Sequence, residues 1–337
     1  MRHFVSKILC LSNVLISTLL FRSAPLIADQ VHAVTPALEP VSYLKKASLW
    51  ETFKNFPDDY YSFLKNVTDY DASTYLWVGG TTLALLPFDQ RITDGSKDFA
   101  TRNRIMDPKR PEYRSVAKYS LLSTRGVLEI PRTFQGWTWY FGDGMFSLEV
   151  AGLFAAYGWG LDDNRATHVS TQIVESLVIT GPSVLAIKVM TGRESPKKST
   201  TLGGRWYGYP GILPYSRDQS RYYSFPSGHT ATAVSTLTVI TENYLEDCWV
   251  APLGDVMVGL LMFSLVNVGS HWPSDFPLAV LIGYTSGHTV VQNDRARDKA
   301  LRQQDAGLNA PSVGFAWRGF TPAYSDNKMG LQSEWTF

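Results

Sequence analysis

Three short stretches of this chain hold residue types that could move a proton or attack an electrophile. Pro226-Ser227-Gly228-His229 runs directly into an apolar block. Proline and serine at such a junction start a helix. Backbone N–H groups at 227 and 228 would then face outward as an anion site. Gly228 lets an anion approach the main chain closely. His229 beside it has an ordinary pKa near neutrality and can give or take a proton. In the second stretch His271 and Asp275 stand four residues apart, one turn if helical. A carboxylate there can hold one imidazole nitrogen and leave the other free as a nucleophile. The third, Lys188 through Pro196, closes a long apolar block. Lys188 and Arg193 could bring positive charge to a phosphate, and Gly192 reads as a helix C-cap. Ser286-Gly287-His288 repeats three letters of the first stretch without its proline or a partner Asp. His288, like His168, reads as structural.

In their order along the chain these stretches resemble the type 2 phosphatidic acid phosphatase (PAP2) and vanadium haloperoxidase superfamily. Its pattern is Lys-x6-Arg-Pro, then Pro-Ser-Gly-His, then Ser-Arg-x5-His-x3-Asp. Lys188 and Pro196 fit the first motif, residues 226–229 the whole of the second, and Ser264, His271 and Asp275 the third. The resemblance covers roughly residues 142–292. It implies that His271 attacks phosphorus to form a phosphohistidine, that Asp275 orients it, and that His229 protonates the leaving oxygen. Ser227, the Gly228 N–H and Lys188 would bind the phosphoryl oxygens without a metal. No cofactor is expected; vanadate would enter only in the haloperoxidase alternative.

Two arginines of the pattern are missing. Ser195 stands at the first-motif position and Leu265 at the third. A charge-assisted hydrogen bond contributes about 1.5–3 kcal/mol, so two uncompensated losses would cost about 3–6 kcal/mol. Arg193 is the expected substitute. The leading expectation is hydrolysis of a phosphomonoester or pyrophosphate, on a phosphorylated lipid or a small phosphoester. A non-catalytic phosphate- or lipid-binding protein is the alternative, and a haloperoxidase the more distant one.

These residues need elements to hold them. Apolar blocks at Phe146–Gly160, Val169–Met190, Thr230–Tyr244, Val256–Val268 and Leu278–Val291 read as helices. Ala233, Leu237, Ile240 and Tyr244 recur at helical spacing. The expected fold is all-α, a bundle of about six core helices over 136–296. An N-terminal helical and loop extension covers 34–135, with surface loops and short helices over 88–135. A tail covers 297–337, where 314–320 and 330–337 could pair as a hairpin. Residues 1–33 read as a secretory signal, with Arg2 and Lys7, an apolar stretch and a small-residue site at Val31-His32-Ala33. The protein is therefore expected in the periplasm or cell envelope, with a membrane surface as a partner. Glu149, Glu175 and Glu242 interrupt the blocks, and the mean hydropathy is −0.09, so a soluble bundle is preferred over a multi-span one. Lysine plus arginine number 31 against 30 acidic residues, a balance that does not suit a nucleic-acid partner. Two cysteines are too few for a cysteine-built metal site.

Overall fold

The computed structural model describes residues 40–105, 113–121, 124–305, 316–325 and 328–336. The expected signal segment, 1–33, lies outside the described residues. The chain divides after Asn293 into two compact units.

In the first unit the N-terminal extension forms three helices, α1 (Leu49–Thr68), α2 (Ala72–Leu85) and α3 (Asp89–Arg102), with a 3₁₀ turn at Leu86–Phe88 between the last two. Where loops and short helices were expected over 88–135, there is α3 followed by an antiparallel hairpin, β1 (Tyr113–Leu121) with β2 (Thr124–Pro131). α4 (Phe134–Phe141) follows, and then α5 (Gly144–Gly160), α6 (Asn164–Thr191), α7 (Ile212–Arg217), α8 (Gln219–Tyr222), α9 (Gly228–Asn243), α10 (Val250–Asn267) and α11 (Phe276–Asp305). α5, α6, α9, α10 and α11 are the five foreseen from the apolar blocks; the short α7 and α8 were not. The all-α bundle stands, with the hairpins as additions to it. In the second unit β3 (Ala316–Ser325) and β4 (Lys328–Thr336) pair antiparallel, the tail hairpin expected from its two aromatic pieces.

Local chemistry sets the helix ends. The Asp163 carboxylate accepts the Ala166 N–H at 3.0 Å and caps α6. At the other end Gly192, at φ +55°, donates its N–H to the Lys188 carbonyl at 2.9 Å. A Cβ there would stand 2.8 Å from the Gly208 carbonyl, so glycine is required by space as well as by conformation. This cap ends the helix one residue before Arg193 and turns the chain into the loop beneath the site.

α6 packs most extensively against α5 and α9, so it runs through the middle of the bundle. Phe63 of α1 joins Ile179 and Val184 of α6, Ala231 of α9 and Ile282 of α11 in one apolar cluster. The extension thus shares the core of the bundle. Leu261 and Leu265 of α10 pack with Ala233 and Phe276 in a second cluster. α6 and α10 are long and apolar enough to cross a membrane by length and composition alone.

α9 and α11 approach closely at two glycines. A Cβ on Gly283 would stand 2.3 Å from the Ala231 carbonyl, and one on Gly287 2.6 Å from that of Ser235. Backbone cannot yield as a side chain can, so Gly283→Ala should destabilise the protein by about 1–3 kcal/mol. Gly152, with open space around its Cβ position, serves as control. Gly152→Ala should be neutral or stabilise by up to about 1 kcal/mol. Urea unfolding of the two variants checks the contrast; equal stabilities would mean that the crossing has slack.

Candidate functional site

The site forms where α6 and α10 end and α9 begins, beside the segment 192–227. α9 begins at Gly228 with Ser227 as its N-cap, the Ser227 Oγ accepting the Thr230 N–H at 3.4 Å. The preceding Phe225–Pro226 bond is cis. Gly228 and His229 are the first two residues of the helix, whose N–H groups have no intrahelical acceptor. Lys188, on the last turn of α6, reaches the same spot: a Cβ on Gly228 would stand 3.6 Å from its Nζ. Its ammonium lies over the Tyr223 ring, 5.0 Å from the centroid. The His229 ring faces that of His271 at 6.4 Å between centroids and packs on Trp139 at 4.4 Å.

His271 and Asp275 do not share a helical turn. α10 ends at Asn267, Gly269 takes φ +73°, and Asp275 closes a 3₁₀ turn at Pro273–Asp275. His271 is fully buried. Its Nδ1 stands 2.7 Å from the Ser224 carbonyl and 3.6 Å from Asp275 Oδ2. A carbonyl can only accept, so Nδ1 carries the hydrogen. The lone pair then belongs to Nε2, which is buried and has no hydrogen-bond partner among the described residues. Burial lowers the His271 pKa more than its bond to Asp275 raises it, which keeps the imidazole neutral.

Asp275 is held from several sides. Its Oδ2 accepts the Ser224 hydroxyl at 2.6 Å and the Trp272 N–H at 2.7 Å. Its Oδ1 accepts Arg193 at 2.6 Å. Burial alone would raise its pKa; the Arg193 guanidinium, with His271 and Ser224, brings it below the ordinary carboxylate value. Arg193 therefore differs from the expectation for it. The side chain is fully buried between the indoles of Trp206 (4.7 Å) and Trp272 (5.6 Å). One terminal nitrogen donates to Asp275 and, at 2.7 Å, to Ser274 Oγ; the other donates to Asp89 at 2.6 Å and to the Gly203 carbonyl at 2.8 Å. With all four terminal N–H groups engaged, Arg193 supports the back of the site and does not face a phosphate.

Ser227 also departs from expectation. Its N–H donates to the Asp275 carbonyl at 3.1 Å and its hydroxyl is engaged with Thr230. The outward donors are one residue further on, at Gly228 and His229. Ser195, at the first arginine-free position, is buried and hydrogen-bonds the Tyr223 hydroxyl, which also bonds Ser270. Leu265, at the second, lies in the apolar cluster under the site. No cation replaces either arginine at its own position. Lys188 is the cation that the structure brings to the His229–His271 pair. Burial, opposed in part by Asp275, lowers its pKa to about 8. Burial, then His271 and Lys188, lowers that of His229 to about 3.

Sequence reasoning missed Tyr223, Ser224 and Asp89. The first two stand just ahead of Pro226 and could have been found by extending the motif toward the N-terminus. Asp89 gave no signal, being 104 residues from Arg193. His288 bonds Glu242 at 2.7 Å, and His168 stacks on Tyr43 at 3.8 Å between rings. Neither joins the site.

A family model described as the PAP2 superfamily matches residues 170–299. That segment contains Lys188, Arg193, Ser227, Gly228, His229, His271 and Asp275, and leaves out the extension with Asp89. No curated protein and no solved structure matches the chain significantly.

An anion held by Lys188 should bind in a pH-dependent way. A lysine whose pKa is depressed to about 8 is an ammonium below that pH and an amine above it. Binding of tungstate, an oxyanion of constant charge over this range, should weaken as pH rises through about 8. Lys188→Met should bind tungstate about tenfold or more weakly at pH 7 and lose the pH dependence. Calorimetry at pH 6.5 and 9 checks both; tungstate affinity equal at the two pH values would remove Lys188 from the anion site.

Proposed function

Residues 170–299 belong to the PAP2 superfamily, and from that premise we propose that this protein is a phosphatase working through a phosphohistidine on His271. The observation that carries the reading is the buried imidazole, fixed by Nδ1 on the Ser224 carbonyl and left with an unpartnered Nε2. An unbonded buried nitrogen costs about 1–3 kcal/mol. Binding an anion does not require such an oriented, unsatisfied lone pair, whereas nucleophilic attack does.

In the proposed cycle the Nε2 lone pair forms a bond to phosphorus as the bond from phosphorus to the leaving oxygen breaks. Charge on the phosphoryl oxygens is met by Lys188 and by the N–H groups of Gly228 and His229 at the start of α9. Asp275 stabilises the positive charge that develops on the imidazole. Water then attacks phosphorus, the N–P bond breaks, and phosphate leaves with His271 restored. His229 is the group placed to protonate the leaving oxygen. The free protein keeps it neutral. The proton therefore enters with the substrate, as the monoanion of a phosphomonoester, or reaches His229 once the bound phosphate offsets its charged neighbours. The donors already present supply the charge stabilisation, so the proposal needs no metal.

A lipid phosphate is the preferred substrate. Two features support it. Leu153 and Trp159 of α5, Met190 of α6 and Leu253 of α10 are exposed apolar side chains on the bundle surface. A cavity of about 620 Å³ is lined by Phe99, Ile105, Phe134, Leu260 and Phe263 together with Arg104. Its size and walls suit a hydrocarbon chain. On this reading the protein acts at a membrane surface of the cell envelope.

His271→Ala should reduce phosphate release by about 10³-fold or more with phosphatidate in mixed micelles or p-nitrophenyl phosphate. Acid-labile phosphate should be trapped on the wild-type protein and be absent from the variant. The kcat/KM for a monoester should fall as pH rises through the substrate's second ionisation near about 6. Undiminished release by His271→Ala would end the proposal.

A further inference from the structure

The extension brings the Asp89 side chain to the site, and neither the family match nor the motifs include it. Asp89 opens α3 directly after the 3₁₀ turn and is fully buried. Its Oδ2 accepts one Arg193 nitrogen at 2.6 Å and also the Ser274 hydroxyl. Its Oδ1 accepts the Ser274 N–H at 2.9 Å. Ser274 immediately precedes Asp275. Asp89 therefore grips both the turn that carries Asp275 and the guanidinium that faces it.

We propose that Asp89 is a positioning residue of this site, setting through Arg193 the orientation and charge of Asp275 and hence the proton affinity of His271. The inference rests on the phosphatase reading above. Burial raises the Asp89 pKa, and hydrogen bonds from Ser274 and Arg193 oppose that rise. With both carboxylates ionised, one cation, Arg193, is shared by two of them, and the group behind the imidazole has a net negative charge. If Arg193 faced Asp275 alone, that charge would be neutralised. As the bond from Nε2 to phosphorus forms, the imidazole becomes positive, and the surplus charge stabilises it. The other groups facing His271 act differently. Lys188 and the neutral His229 stand on the phosphate side, where the Lys188 ammonium opposes protonation of the His271 ring. Tyr223 presents its ring at 5.7 Å, and the Ser224 carbonyl holds Nδ1. Asp89 is the group that reaches Asp275 from the far side of Arg193.

The test uses the full-length protein with Asp89→Asn, Asp89→Glu, Arg193→Lys and His271→Ala. Histidine-labelled protein is titrated by NMR, the His271 signal being the one absent from His271→Ala. In Asp89→Asn the His271 pKa should fall by about half to one pH unit. With p-nitrophenyl phosphate as probe, kcat should fall about 10- to 100-fold, with KM within about threefold. Asp89→Glu, which keeps the charge, should recover part of the loss. A folded Asp89→Asn protein with the wild-type His271 titration and kcat would overturn the inference and leave Asp89 a structural residue. Should Asp89→Asn not fold, Arg193→Lys decides. A single ammonium cannot bridge both carboxylates, so a wild-type kcat and titration in that variant would equally overturn it. If wild-type protein releases no phosphate, or His271→Ala releases as much, the phosphatase reading fails instead. The NMR titration still decides the linkage of Asp89 to His271.

Discussion

The buried ion pair between Arg193 and Asp275 is the interaction on which the rest of the site depends. Removing two charges from water is costly, and the attraction between them offsets that cost only when hydrogen bonds satisfy the remaining donors and acceptors. That condition is met at the terminal nitrogens and at the carboxylate, while the Arg193 Nε is buried with no partner among the described residues. Four N–H groups of the guanidinium have acceptors, and each carboxylate oxygen has at least one donor. Such a pair is a better device for fixing geometry than for adding stability. Here it locks the loop after α6, the turn before α11 and the start of α3 into one arrangement.

That arrangement explains how a site lacking two expected cations remains ordered. Ser195 and Tyr223 occupy one vacated place through hydrogen bonds, and Leu265 fills the other with apolar packing. Neither position is left as a void or an unpaired charge. The phosphate side keeps one lysine and the start of a helix, with less positive charge than two further arginines would give. A site of this kind suits an anion of low charge, in agreement with a substrate that carries its own proton. Burial, with the Lys188 ammonium and the His271 ring beside it, likewise keeps His229 neutral.

The extension also gains a clear role. Its helices contribute Phe63 to the central apolar cluster and Asp89 to the ionic network. Both are long-range contacts, so folding of the bundle core and ordering of the site are coupled to residues well before the matched segment. Asp59 of α1, buried and accepting Asn293 at 2.6 Å, adds a polar contact of the same kind.

The five long helices after residue 142 were legible because period-3.6 apolar patterning and end signals such as Asp163, Gly192 and Ser227 act locally. The residue types at 188, 229, 271 and 275 were legible for the same reason: their chemistry is intrinsic and their spacing is short. The hairpin β1–β2 was not, since the charged stretch before it hid the strand pattern. The tertiary structure decided what each polar atom faces. Arg193 looked like a phosphate ligand from its place beside Lys188, yet its partners lie 82 and 104 residues away. Ser227 looked like an anion donor, yet its N–H meets the Asp275 carbonyl. The free nitrogen of His271 follows from a carbonyl 47 residues upstream. A buried polar group takes whichever partner the fold brings within hydrogen-bond reach, and sequence separation does not encode that reach.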